Sequence, residues 1–275
     1  MTDAVRSILI ISDIHAGSPY SVCTRAGIPV DVGNEVNWVM PNKLQHELHS
    51  KWEYMVTIAD NFNVDTVFNL GDTIDGADYK NGGQGVMTPI IDAQVELASE
   101  LLKPVVKDRK YVSVSSSPYH SSRDTKSELA VTKELRGYAE ETMFLGVTGI
   151  VTIPEINKKI NLAHKASNAM LYTATMADRE LIYWNVAAAR EQLPKIDWII
   201  RGHLHKFYHL DNGCEHFLQS ACWKSWYPIK SSTNMIGRYQ TDIGFSVLQF
   251  DEAGRSNLRN FIYPSPNIAI KEVDV

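Results

Sequence analysis

Hydrophobic positions along this chain fall into two spacings. Short, nearly unbroken apolar runs at residues 7–12, 64–70, 110–115 and 197–200 have the length and β-branched content of strands covered on both faces. Leu44, Leu48, Trp52, Met55, Ala59 and Phe62 recur instead at helical spacing, which predicts one helix with a single buried stripe. Further helices are expected over 92–102, over about 168–193, and after residue 123 with Asp124 or Ser127 as N-cap. Residues 147–153 and 159–163 read as two strands joined through Asn157 and Lys158, and the last third as hairpins turning near 211–213 and 251–254.

Strand, helix, strand over residues 7–70 makes a βαβ crossover, so the first two strands should be parallel neighbours. Residues 16–42, rich in Gly, Pro, Ser and Asn, form a long excursion between them. Alternating strands and helices followed by a β-rich end predict an α/β sandwich, two sheets between helices, in a single domain over residues 1–275.

At 275 residues with 44% hydrophobic and 21% charged positions, the chain can bury a sizeable core. Its formal charge of −5 gives no global attraction to nucleic acid, although bound divalent cations would reverse the local field. Cys23, Cys214 and Cys222 are odd in number and form no C-x-x-C pair, so neither a disulfide framework nor a thiolate zinc site is expected. No signal-peptide pattern or membrane-length apolar run is seen, and the chain reads as cytoplasmic with no membrane partner. Nothing in the patterning sets an oligomeric state.

The chemistry gathers where the strands end. Asp13-x-His15, Gly71-Asp72-x-x-Asp75, His164 and Gly202-His203-x-His205 each follow an apolar run, the position where α/β sheets bind ligands. In extended backbone the side chains of Asp13 and His15 would share one side, as would those of His203 and His205. Carboxylate oxygens with imidazole nitrogens and no thiolate suit Mn, Fe or Zn, with manganese favoured. The set exceeds one ion's needs, and Asp72 could bridge two divalent metal ions.

In this order the motifs, together with the His120-bearing loop, resemble those of the calcineurin-like metallophosphoesterase superfamily across about residues 8–206. The resemblance implies a four-layer α/β/β/α sandwich with mixed sheets. One metal would be held by Asp13, His15, Asp72 and His205, and the other by Asp72, His164 and His203. It implies hydrolysis of phosphate esters by metal-activated hydroxide, with Asp72 and His120 as catalytic residues and Asp75 orienting a ligand from behind. The family's third motif is Gly-Asn-His, whereas here the loop runs Ser115-Ser-Ser-Pro-Tyr-His120 and lacks the Asn. Either His120 is the general acid and a serine oxygen or water takes the vacated place, or His120 is itself a ligand and the acid lies elsewhere.

The loop, the Arg201-to-His205 motif and the 221–226 stretch are also similar to phosphoesterases of phages and prophages, which would put the protein in a host cytoplasm. That likeness favours a phosphodiester, nucleotide or nucleic-acid substrate over a phosphomonoester or phosphoprotein. A non-catalytic scaffold on the same fold is the remaining alternative. Arg123 and Lys165 are candidate phosphate contacts, though solvated loop charges account for them equally well. Trp223 and Trp226 are candidate substrate contacts, Trp184 and Trp198 candidate core, and His46, His49, His209 and His216 have no motif partners.

Overall fold

The computed structural model describes residues 5–32, 35–78, 82–118, 120, 126–165, 173–225 and 241–264. One sheet holds β1 (Arg6–Ile11), β4 (Thr66–Asn69), β5 (Lys110–Ser113) and β6 (Glu141–Phe144) in parallel, flanked beyond β1 by antiparallel β12 (Asp242–Phe250) and β13 (Ser256–Pro264). The other holds β8 (Lys158–Ala163), β9 (Trp198–Arg201) and β11 (His216–Gln219) in parallel, with antiparallel β7 (Thr148–Ile153) and β10 (Tyr208–Asp211) at its edges. The helices are α1 (Lys43–Asn61), α2 (Ile91–Val106), α3 (Lys126–Glu134) and α4 (Thr173–Ala189).

The strand pleat shows how the layers stack. In β1, Leu9 and Ile11 pack with α1 and α2 residues such as Leu48, Met55, Leu97 and Leu101. Ile8 and Ile10, on the opposite face, pack with Trp198, Ile200 and Leu218 of the second sheet. The outer face of that sheet, through Ile199 and Phe217, meets Met176, Ala177 and Leu181 of α4. Three cores separate four layers, α/β/β/α with two mixed sheets, as expected. A strand buried on both faces needs apolar residues at consecutive positions, and that is why β1 reads as Ile-Leu-Ile-Ile.

The α1 stripe is buried at Leu48, Trp52, Met55 and Ala59, and Asn42 with Gln45 forms a capping box at its start. Several expectations are corrected. Residues 16–42 are not without structure: β2 (Ile28–Val32) and β3 (Glu35–Val39) pair there as a hairpin. The half-exposed β6 has no continuous apolar run to announce it. Ser127 lies inside the first turn of α3, not at its cap, and Asp124 is outside the described residues. Trp223 is 0% exposed, edge-on to Trp52 at 4.8 Å and stacked near Phe245. An indole enclosed in the core cannot meet a substrate. Trp198 is core as expected, with His216 and His209 stacked over it. Trp184 is only partly buried, against the third core. Trp226 lies outside the described residues.

Among the described residues, no helix is long and apolar enough to cross a membrane.

Candidate metal centre

Parallel strands from both sheets end at one edge of the sandwich. β1 and β4 deliver Asp13, His15 and Asp72, β5 leads to Ser117 and His120, β8 to His164, and β9 to His203 and His205. Main-chain bonds fix these loops against each other: Asp13 N–H donates to Gly71 O at 3.0 Å, His15 N–H to Asp72 O at 2.9 Å, and Gly202 N–H to His164 O at 2.9 Å. His203 N–H crosses between the sheets to Asp13 Oδ2 at 2.9 Å. Gly202 sits where a Cβ would come within 2.1 Å of Ser12 Oγ and 2.9 Å of Asp13 Oδ2. Only glycine allows that approach.

Asp13 and His15 do not sit in extended backbone as the x-spaced motif implied. Their φ values are +53° and +50°, Asp72 has +48°, and His203 and His205 have +77° and +55°. Left-handed backbone is unfavourable for side-chain-bearing residues and gathers at functional sites. Here it occurs at five of the clustered residues.

Three clusters result, Asp13 with His15 and His205, His15 with Asp72 and His120, and Asp72 with His164 and His203, each with its ligand atoms within 4.8 Å of one another. His205 Nε2 lies 3.1 Å from both Asp13 Oδ1 and His15 Nε2. His164 Nε2 lies 3.0 Å from Asp72 Oδ2 and 3.2 Å from His203 Nδ1. Asp72 Oδ2 is also 3.9 Å from His15 Nε2, so one carboxylate stands between two groups of donors.

The outer ring nitrogens are engaged behind the cluster. His15 Nδ1 bonds Asp75 Oδ1 at 2.8 Å, His164 Nδ1 donates to Leu70 O at 2.7 Å, and His120 Nδ1 donates to Asp75 O at 2.7 Å. Burial lowers the His205 pKa, but the Cys222 thiol and Asp13 outweigh it and raise it above its ordinary value. An outer acceptor fixes the tautomer and leaves the inner nitrogen's lone pair free for a cation. Inward-facing imidazole nitrogens beside shared carboxylates are the donor set that divalent transition metals take. The residues therefore fit two metal ions.

Electrostatics agree with that fit. Burial raises the Asp13 and Asp72 carboxyls, but His205 and His15 around Asp13, and His164 around Asp72, outweigh it and hold both below the usual carboxylate range. Burial lowers His164, yet the Asp72 carboxylate pushes it up to about 9. Burial, the Lys224 ammonium and His120 lower His15. In the metal-free cluster Asp72 favours a proton on His164 and Asp13 one on His205, whereas burial lowers His15 and His203.

Of the other sequence candidates, His120 is 28% exposed at its side chain and meets His15 edge-on at 4.4 Å. Lys165 follows His164 and is exposed, and Arg123 lies outside the described residues. Sequence analysis missed three residues. Ser117 donates from its N–H and its hydroxyl to Asp72 Oδ1 at 2.9 and 3.1 Å. Buried Glu128 accepts from Ser116, whose oxygen takes the Asp72 N–H. Lys224 bonds Asp75. The Ser-Ser-Ser run was the one available signal for Ser117.

No family model matches the chain, and no curated protein matches it. Among solved structures it is similar to an archaeal phosphodiesterase, at 11% identity over 93% of this chain and 99% of that one, with a TM-score of 0.45. Vacuolar Protein Sorting 29 from Cryptosporidium parvum aligns at 14% identity over 96% and 100%, TM-score 0.45. A dimetal phosphatase from Danio rerio aligns at 11% over 94% and 96%, TM-score 0.47.

Proposed function

We propose that the protein is a binuclear metal-dependent phosphoesterase. The observation that carries this is the Asp72 carboxylate standing between the His15 side and the His164 side of the cluster, 3.9 and 3.0 Å from the two imidazoles. Asp13, His15, Asp72 and His205 would hold one cation, manganese in this proposal, and Asp72, His164 and His203 the other. Such a pair supplies Lewis-acid polarisation of a phosphate ester and a nucleophile available near neutral pH.

The chain's own groups do the rest. Asp75 and the Leu70 carbonyl keep the ligand rings oriented, and Ser117 holds the Asp72 carboxylate in place. His120, whose Nδ1–H donates to the Asp75 carbonyl, would act as general acid in its imidazolium form, giving the Nε2 proton to the leaving oxygen and keeping the Nδ1 proton. For substrate we propose a phosphodiester or nucleotide, supported by the likeness of the Ser117-Pro-Tyr-His120 loop to phage phosphoesterases.

The test is a manganese-supplemented panel of phosphomonoesters, phosphodiesters, cyclic nucleotides and single- and double-stranded nucleic acids, run on wild type and Asp72→Asn. Diester hydrolysis lost in the variant is expected. A wild type bearing about two ions per chain that cleaves none of the panel would overturn the enzyme reading, and monoester turnover alone would overturn the substrate class.

A further inference from the structure

Lys224 is placed against the cluster by backbone that the fold fixes on both sides. It pairs with Ser21 in an isolated antiparallel bridge. Val22 N–H donates to Trp223 O at 3.2 Å, and Ser225 N–H to Tyr20 O at 2.8 Å. The preceding indole is locked in the core, and Trp223 N–H reaches Asp13 O at 3.0 Å. The ammonium lies 2.5 Å from Asp75 Oδ1, the oxygen that also takes His15 Nδ1 at 2.8 Å and lies 3.7 Å from His120 Nδ1. Its side chain is 18% exposed, so the ammonium is not fully enclosed.

Three carboxylates, Asp13, Asp72 and Asp75, need no lysine once two divalent cations are bound, because the cations already outweigh them. The Asp75 carboxylate stands between the ammonium and His15, and it takes one of the ammonium's donors. An ammonium carries three N–H donors, and Asp75 is the one acceptor it meets among the described residues. The geometry points to Lys224 as a substrate-binding residue that donates to a non-bridging phosphate oxygen on the His120 side of the metal centre. This is the cationic role for which the sequence offered Arg123 and Lys165. The inference rests on the phosphoesterase reading, but its test reads binding and not turnover.

The experiment is calorimetric titration of inorganic phosphate into manganese-loaded wild type, Lys224→Met, Lys224→Arg and, as an exposed-lysine control, Lys195→Met, with metal content measured on each. Lys224→Met is expected to raise the phosphate Kd about tenfold, as for loss of one charge-assisted hydrogen bond. Metal content should stay unchanged, Lys224→Arg should recover much of the affinity, and Lys195→Met should match wild type. Phosphate binding unaltered in Lys224→Met would overturn the assignment. So would a fall in its metal content, which would make the lysine a clamp for Asp75. Failure of the ester panel with an intact phosphate contrast would sink the enzyme reading and leave this one standing.

Discussion

His120 is held by the backbone of Asp75: its Nδ1 donates to the Asp75 carbonyl oxygen at 2.7 Å. A carbonyl oxygen can only accept, so the proton is on Nδ1 and the other ring nitrogen faces the cluster. That arrangement allows either a proton donor or a ligand, and the two roles separate experimentally. As general acid, His120→Asn should lose about 10²–10⁴-fold in kcat on esters with poor leaving groups, far less on a nitrophenyl ester, and keep both metal ions. Loss of one metal ion, with equal damage on both esters, would make His120 a ligand.

The carboxylate of the same residue, Asp75, supports His15 through Nδ1. Asp75→Asn is expected to weaken metal binding by about 10–100-fold, the usual scale for a partner behind a ligating histidine, without unfolding the chain. Competition titration with a chelator measures it. An unchanged affinity would mean that His15 needs no such support.

Trp223 fills the core between α1 and β12 beside Trp52 and Phe245. Trp223→Ala should cost about 3–5 kcal/mol of stability, read by denaturant unfolding. A loss confined to substrate affinity would contradict its place in the core.

Metal-free protein should lose stability as pH rises above about 6.5. Burial acts to lower the His164 pKa, but Asp72 raises it to about 9 in the folded chain against 6.5 for a free imidazole. A raised pKa gives stability that is full below about pH 6.5 and is lost as pH climbs through 9. Asp72, held below its ordinary 3.8, acts oppositely, giving stability present above that value and lost on acidification. His15 and His203, lowered by burial, add stability as pH rises toward 6.5, so thermal melts of the metal-free chain should peak near pH 6.5 and fall from there to pH 9. Metal loading displaces the His164 proton, so the loaded protein should hold its Tm through pH 9. A metal-free Tm that rises from pH 6.5 to 9 would contradict the pairing.

The sheets and the strand-end ligands were legible because burial on both faces leaves a run such as Ile8 to Ile11, and because Asp and His directly after such runs have nowhere to go but the sheet edge. Lys224, Ser117 and Glu128 carry no spacing that ties them to a site; tertiary packing brings them there from separate segments. The 221–225 stretch has neither helical nor strand periodicity, so nothing in it distinguishes an enclosed Trp223 from an exposed one. The D-x-H and H-x-H pairs come together in the structure, but through a backbone other than the extended one expected, since left-handed φ at Asp13, His15, His203 and His205 leaves no mark in hydropathy.

The placement of β12 beside β1, and of the Trp223 amide on the Asp13 carbonyl, sets an order of assembly. The first sheet lacks its partner for β1 until residues past 241 are available, and His203 and His205 arrive only with the second sheet. During synthesis Asp13, His15 and Asp72 are made first, and His203 and His205 follow more than a hundred residues after Asp72. A ribosome-bound chain therefore carries Asp13 without its His203 and His205 partners through most of its translation, and the cluster is completed late in the life of the polypeptide.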